Sequence, residues 1–196
     1  MAVLREGSVR AITTSESSCS QLNYQHVDIP SITGWVEEFA NKTGITGQLC
    51  FDFMKETSTG SFYPIECNPR VHSQCVTFLD TPEFGEAVLS NHWSKNKTLV
   101  PPVESKPVFW FYNELFKAIL APIFSYTKMH EKEGLFKFFS LLLQGRDSDF
   151  DVDDPLPFLM RNHVQLPYLL LETLVRDTPW LKLDFCIGKV VELNGD

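Results

Sequence analysis

The strongest constraint on the fold is a pair of apolar segments joined by a short polar stretch. Residues 48–54 and 62–68 are rich in apolar side chains, and residues 55–61 (KETSTGS) have the composition of a turn. This arrangement predicts an antiparallel β-hairpin in which Phe51 and Phe53 anchor one face in a core. Pro64 fits an edge strand or a bulge, because proline donates no hydrogen bond to a neighbouring strand.

The polar residues of the two segments fall on alternate positions. Side chains alternate between the two faces of a strand, so Glu66 and Asn68 are predicted to share one face. If Met54 pairs with Phe62, then Asp52 lies near them on that face. A register shifted by one residue would separate Asp52 from the other two side chains.

These residue types suit a metal ion or a phosphate group. Carboxylate and amide oxygens are the ligands that Mg²⁺ prefers, and the metal is often shared with the phosphates of a substrate. Arg70 follows two residues after Asn68, and a guanidinium matches the geometry of a phosphate group. From the residues alone, two interpretations stay open. One is a metal or phosphate site, and the other is a structural ion pair between Arg70 and the carboxylates.

The same residues resemble a known catalytic element. Residues 51–53 (FDF), followed by residues 65–70 (IECNPR), resemble the C-terminal catalytic hairpin of the ATP-grasp superfamily. The resemblance implies that Asp52, Glu66 and Asn68 hold Mg²⁺ against the phosphates of ATP. It also implies that Arg70 is the catalytic cation that faces the transferred group. Aspartate stands where the family often has glutamate or glutamine, which shortens the reach by one methylene but keeps the oxygen ligand.

Three further polar residues, His72, Ser73 and Gln74, follow this motif and could contact the acceptor substrate or the transferring phosphate. His72 and Ser73 are candidates for cofactor binding, because their position places them to contact the transferring phosphate of ATP or the acceptor substrate. The structural alternative for His72 is that its ring caps or hydrogen-bonds the exit of the strand.

A wider resemblance runs through most of the chain. It is to the mycosporine-glycine synthetases, which are ATP-grasp ligases, and it implies ATP-dependent formation of a C–N bond through a phosphorylated intermediate. The implied partners are small molecules, namely an amine such as an amino acid and an acceptor that can be phosphorylated. The similar segments are residues 17–19, 21–24, 66–73, 154–158 and 183–189.

Other parts of an ATP-grasp enzyme are not recognised in this sequence. Such enzymes also have an N-terminal domain, lysines that reach the α- and β-phosphates and a flexible glycine-rich lid. We therefore expect an α+β chain that is the C-terminal part of a longer ligase. Residues 1–80 are expected to belong to the catalytic domain, and residues 81–196 to a mostly helical extension. The alternative is a noncatalytic remnant or a regulatory module.

Charge and cysteine content limit the binding partners and the cellular location that we expect. The net charge of −8 argues against nonspecific binding to nucleic acid or to anionic membranes. The 5 cysteines are odd in number and form no C-x-x-C pair, which favours a reducing compartment and a cytoplasmic location.

The apolar stretch at residues 107–126 contains charges that a bilayer disfavours, so we expect a buried or partner-facing helix. A homo-oligomer is compatible with that expectation. The acidic segment at residues 147–154 (DSDFDVDD) is interpreted as a solvated loop.

Overall fold

A computed structural model shows a mixed α+β protein that divides into two compact units. The first unit consists of Met1–Cys19 and Tyr24–Lys106, and the second of Ser20–Asn23 and Pro107–Asp196. An antiparallel sheet and several helices confirm the predicted α+β class. The structure describes residues 1–16, 23–93, 97–102, 104–115, 117–118, 131–175, 183–184 and 189–190.

A four-stranded antiparallel sheet forms the centre of the first unit. The order of its strands is β2-β1-β4-β5, so β5 lies at an edge, as the presence of Pro64 predicted. Glu6 and Gly7 join the first two strands with φ angles of 48° and 75°, the positive values that a tight hairpin turn of this hand requires. The predicted hairpin is present as β4 and β5. The strands are β1 (Ala2–Arg5), β2 (Ser8–Ile12), β4 (Gly47–Lys55) and β5 (Phe62–Asn68), and the short β3 is Asn23–Tyr24.

Helix α1 (Pro30–Thr43) covers one face of this sheet. Ile32, Val36 and Ala40 recur every four residues, and they are buried in one cluster with apolar side chains of all of β1, β2 and β4. The helix ends at Gly44, whose φ of 65° is left-handed and whose N–H donates to the Ala40 carbonyl at 2.9 Å. This burial fixes β4 against the helix.

Among the residues that the structure describes, no side chain caps the start of α1. The N-cap position is Ile29, and its side chain makes no capping hydrogen bond. Pro30 begins the helix instead, because its fixed φ suits the first turn and it lacks the N–H that a cap would satisfy.

The opposite face of the sheet packs against a 3-10 helix, Ser73–Phe78, and α2, Glu83–Leu89. Phe78, Ala87 and Leu99 are buried there in a cluster with residues of β1 and β2. These contacts keep the chain up to residue 106 in the first unit, whereas the sequence placed a boundary after residue 80.

The second unit combines short strands with helices. Strands β6 (Val108–Phe109) and β7 (Arg146–Asp147) pair in parallel. No helix within the described ranges is long and apolar enough to cross a membrane. The helices are α3 (Phe111–Leu115), α4 (Glu131–Gln144), α5 (Leu156–Met160), a π-helical turn (Arg161–Gln165) and α6 (Leu166–Val175), and the last strands are β8 (Leu183–Asp184) and β9 (Lys189–Val190).

Within the apolar stretch at residues 107–126, the structure describes β6 and α3 rather than one continuous helix. Asn113 and Glu114 are buried in α3, and the Asn113 amide donates to the Glu114 carboxylate at 3.0 Å. The prediction for residue 116 and residues 119–126 lies outside the described residues.

The acidic segment is more ordered than the solvated loop that was predicted. One carboxylate oxygen of Asp147 accepts from the Phe111 N–H at 2.8 Å, and the other accepts from the N–H groups of Asp149 and Phe150. Asp149 pairs with Arg161, and burial raises the pKa of its carboxyl. These bonds explain why residues 147–149 are partly buried while the later aspartates of the segment are exposed.

Candidate functional site

The register of the β4–β5 hairpin decides which polar side chains meet. Lys55 pairs with Phe62 next to the turn, and Met54 therefore pairs with Tyr63. The expected pairing of Met54 with Phe62 is wrong, because the turn closes one residue later. The Glu56 N–H donates to the Ser61 carbonyl at 2.8 Å and sets this closure.

A β-bulge then shifts the pairing of the two strands by one more residue. The pairs change from Phe53–Pro64 to Asp52–Glu66, so Ile65 is the extra residue on the edge strand. Without the bulge, Asp52 would lie opposite Ile65 and Glu66 would point to the other face. With it, Asp52 and Glu66 are directly opposite each other and share a face. Bulges often lie beside functional sites, where they change the direction of a side chain.

Asn68 joins this carboxylate pair. It lies opposite Cys50, and alternation places both on the same face as Asp52 and Glu66. The structure thus brings together the three predicted metal ligands on one face of the hairpin. Asp52 and Asn68 are half-buried, whereas Glu66 is exposed.

The aromatic side chains of β4 point the other way. The rings of Phe51 and Phe53 lie edge-on to Trp35 of α1, with centroids 5.4 and 5.3 Å away. These contacts fix β4 on the helix side and leave Asp52 on the opposite face. The prediction that the two phenylalanines anchor the strand in a core is confirmed.

The charges of the site are not paired with each other. In the described part of the chain, no salt bridge within 4.0 Å involves Asp52, Glu66 or Arg70. The structural ion pair that was one interpretation of Arg70 is therefore not formed. Arg70 is exposed. Its backbone N–H donates to the Asn68 carbonyl at 2.9 Å, and this bond turns the chain at the end of β5.

His72 caps the 3-10 helix, as its structural alternative predicted. Its Nδ1 accepts from the Gln74 N–H at 3.2 Å, which leaves the ring hydrogen on Nε2. Burial lowers the pKa of His72, and the positive charges of the Met1 ammonium and of Arg70 lower it further. The Asp52 carboxylate opposes this shift. The ring therefore lies within the electrostatic reach of Asp52 and Arg70, and it is neutral with Nε2 as a donor.

Ser73 is held by a residue that sequence reasoning did not identify. Its Oγ lies 3.1 Å from the phenol oxygen of Tyr24, and the Tyr24 ring is edge-on to His72 at 5.7 Å. Gln74, the third of the polar residues after the motif, packs inside the first unit. It is buried, and its amide donates to the Ser15 hydroxyl at 2.7 Å. These contacts join residues about fifty positions apart or more, so no local pattern could have revealed them.

The donor set of this face fits a hard cation. Among the described residues, no group of three or more His, Cys, Asp and Glu side chains could hold a metal ion. The predicted set is instead two carboxylates, Asp52 and Glu66, with the amide oxygen of Asn68. Few protein ligands are enough for Mg²⁺, which commonly keeps several waters and takes phosphate oxygens as the rest of its shell.

Comparison of the chain with protein-family models, with curated proteins and with solved structures gave no match.

Proposed function

We propose that this chain is the C-terminal part of an ATP-grasp ligase, and that the face of its β4–β5 hairpin binds Mg²⁺ together with the phosphates of ATP. The reaction that we infer is ATP-dependent C–N bond formation of the kind catalysed by mycosporine-glycine synthetases. The γ-phosphate is transferred to an oxygen of one small molecule, and an amine of the second then displaces the phosphate.

One observation carries this proposal: Asp52 and Glu66 lie directly opposite each other, and no ion pair within 4.0 Å involves either of them in the described residues. The buried Met1 ammonium is within electrostatic reach of Asp52 but forms no ion pair with it. Like charges at directly opposed positions of a ladder repel and lower stability. A bulge is needed to bring them together, so the arrangement is not the default result of the hairpin. A divalent cation between them would turn the repulsion into attraction.

The remaining residues of the site have separate roles in this proposal. Asn68 supplies a neutral oxygen on the same face. The guanidinium of Arg70 has no competing ion pair in the described region, so its donors are free to meet a phosphate group at the exit of β5. His72, neutral and with Nε2–H available, would donate to a phosphate oxygen or to the acceptor substrate. Ser73 is held by Tyr24, which orients it near that ring.

The chemistry supplied by bound Mg²⁺ is the neutralisation of phosphate charge during transfer. Arg70 would add a fixed positive charge where the transferring group becomes more negative. Such electrostatic stabilisation is the main contribution that a protein makes to phosphoryl transfer.

Paramagnetic NMR with Mn²⁺ in place of Mg²⁺ tests the site directly, because both ions take oxygen ligands. We expect Mn²⁺ to broaden the backbone amide signals of residues 52, 66 and 68 first. A nonhydrolysable ATP analogue should strengthen that effect, and Mg²⁺ should reverse it. Asp52→Asn should weaken Mn²⁺ binding by on the order of tenfold or more.

The matched control is Glu37→Gln, which removes one exposed carboxylate from α1. It should leave the broadening unchanged. Broadening that centres on the acidic segment at residues 147–154, or that survives Asp52→Asn, would show that the hairpin is not the metal site. If metal and nucleotide bind but no ADP forms with any amine and acceptor, the noncatalytic alternative is favoured.

A further inference from the structure

A cleft of about 310 Å³ lies between α2 and the first residues of β4, on the same side of the sheet as α2. It shares that face with Asp52 but is a separate place on it, because Gln48 in its wall precedes Asp52 by four residues, about 13 Å along β4. Its volume is at the lower end of the range for small-molecule sites, so only a small ligand would fit. The cleft has apolar walls that include Val3 and Val88, and its polar lining residues are Arg5, Arg10, Thr46 and Gln48.

Arg10 is the residue that gives this cleft its chemistry. Only 9% of Arg10 is exposed, which is unusual for a charged side chain without an acidic partner. Its Nη1 donates to the carbonyls of Ala87, at 3.3 Å, and of Ser90. Its Nε and Nη2 make no hydrogen bond within the described part of the chain, and neither nitrogen is fully enclosed. One edge of the planar guanidinium is therefore left open where the side chain lines the cleft.

A second guanidinium stands beside the first. Arg5 donates to the same Ser90 carbonyl at 3.1 Å and also bonds the side chain of Asn91. Across the described residues, neither Arg5 nor Arg10 has a carboxylate within 4.0 Å. Burial and the charge of Arg5 lower the pKa of Arg10, and Glu6 opposes this only in part. The two like charges thus repel, and the α2 carbonyls offset the repulsion only with partial charges.

The cleft also holds neutral donors. The Thr46 hydroxyl accepts from the Glu6 N–H at 2.9 Å, so its own hydrogen is free to point elsewhere. The Gln48 amide has no hydrogen bond within the described region of the protein. Gln48 lies opposite Val3 on β1, which puts it on the face that α2 covers. A group of donors with no negative charge among them is suited to an anion.

We infer that this cleft binds a small organic oxyanion, a carboxylate or phosphate attached to a short apolar group, through the open edge of the Arg10 guanidinium and the Gln48 amide. The apolar walls would contact the body of the ligand, and the two arginines would neutralise its charge. A planar guanidinium binds either oxyanion through two parallel hydrogen bonds. This inference does not depend on the proposed ATP site.

The competing explanation is that both arginines only cap the C-terminal end of α2. Cations and donors near the last carbonyls of a helix are favourable, and this explains the bonds of Nη1. It does not explain why the other edge of Arg10 faces an open cleft without an acceptor. The two explanations differ in what an added anion should do.

Arginine side-chain NMR at low ionic strength distinguishes them. Inorganic phosphate and butyrate are titrated separately, and the Nε–H signal of Arg10 is followed. We expect a saturable shift with a dissociation constant in the millimolar range for at least one probe, because so small a ligand has few atoms with which to bind. The tighter probe identifies the charged group. A signal that neither probe shifts, or that shifts without saturation, would overturn the inference.

Gln48→Glu provides the decisive variant, because it keeps both arginines and their bonds to α2. Its carboxylate would occupy the place of the anion, so the melting temperature should rise and the saturable shift should disappear. Asn41→Asp makes the same change of charge on the exposed surface of α1 and should change neither. Equal anion binding by Gln48→Glu and the wild type would refute the site. Mn²⁺ binding at Asp52 should persist in Gln48→Glu, which separates this test from that of the ATP proposal.

Discussion

Asp52 lies directly opposite Glu66 across the β4–β5 ladder, and in the described chain neither carboxylate has a basic side chain within 4.0 Å. Two negative charges at directly opposed positions repel each other. Such a pair is therefore expected to cost stability when no cation is present.

We predict that Asp52→Asn makes the protein more stable in the absence of divalent metal. The free energy of unfolding should rise by about 0.2–1 kcal/mol, the usual size of a directly opposed pair. Added Mg²⁺ should stabilise the wild type and leave the variant unchanged, because a ligand that binds only the folded state raises stability by mass action. Urea denaturation with a chelator and then with excess Mg²⁺ measures both effects.

Glu37→Gln is the control for this experiment, since it also removes one negative charge. A loss of stability in metal-free Asp52→Asn would mean that the carboxylate makes a favourable contact in the folded protein. That result would contradict the repulsion on which the metal site is argued.

We predict that Arg70→Gln weakens the binding of Mg²⁺-ATP by about tenfold or more, as expected for the loss of a charged hydrogen bond to phosphate. Binding of Mg²⁺ alone should be little changed, because Arg70 is not a metal ligand. Isothermal titration calorimetry measures both affinities. Lys42→Gln removes a positive charge from an exposed residue of α1 and serves as the control. A lower melting temperature with unchanged nucleotide affinity would make Arg70 a structural residue.

We predict that stability falls as the pH is lowered below about 6.5, the usual pKa of histidine. Burial lowers the pKa of His26 and of His72 in the folded protein. The unfolded chain then binds protons that the folded chain does not. The contribution of each neutral ring is present above the unfolded pKa and is lost as the pH falls toward the folded pKa. The loss is at most about 1.4 kcal/mol per pH unit for each histidine.

Chemical denaturation between about pH 7 and pH 5.5 measures this slope. His26→Gln should reduce it, because the His26 ring lies in a buried network in which its Nδ1 is 3.3 Å from the Thr13 hydroxyl. His92→Gln replaces an exposed histidine and should leave the slope as it is. A slope that is the same in all three proteins would mean that His26 is not a source of the pH dependence.

We predict opposite effects of alanine at two glycines. A Cβ at Gly145 would lie 2.7 Å from the Leu141 carbonyl and 2.9 Å from the Phe109 ring. Gly145→Ala should therefore destabilise the second unit by about 1–3 kcal/mol, the cost of overpacking. A Cβ at Gly34 of α1 would meet nothing within 4 Å. Gly34→Ala should stabilise the first unit by about 1 kcal/mol, because alanine favours the helix.

Thermal unfolding followed by NMR separates the two units and tests both variants. If Gly145→Ala is neutral, the Phe109 ring moves aside at little cost. If Gly34→Ala is destabilising, the surface of α1 is not open at that position.

Sequence reasoning located the hairpin and its polar face, because alternation along each strand is a local property. The strands begin and end within about a residue of the predicted segments, and Pro64 correctly indicated an edge. The register could not be obtained in the same way. It depends on where the turn closes and on the bulge at Ile65, and no glycine in β5 marks that bulge. The shift of one residue and the extra residue were both unforeseen, and together they keep Asp52 and Glu66 on one face and place them directly opposite each other.

Contacts between distant segments also could not be predicted from the sequence. The partnership of Tyr24 with Ser73 joins residues 49 positions apart, and the bonds of Arg10 to α2 span about eighty. Such contacts arise when helices pack on a sheet, and no periodicity records them. The cleft at Arg10 therefore had no sequence signal, whereas the carboxylate face had one.

The division of β4 between two faces has a consequence for the way in which variants of this strand should be selected. Phe51 and Phe53 pack on α1, whereas Asp52 between them points away. In a saturation library of β4, selection for protein abundance should tolerate most replacements at position 52 and reject polar ones at position 51. Selection for nucleotide binding should add a strict requirement at position 52. The difference between the two fitness profiles should therefore isolate the middle position of the three.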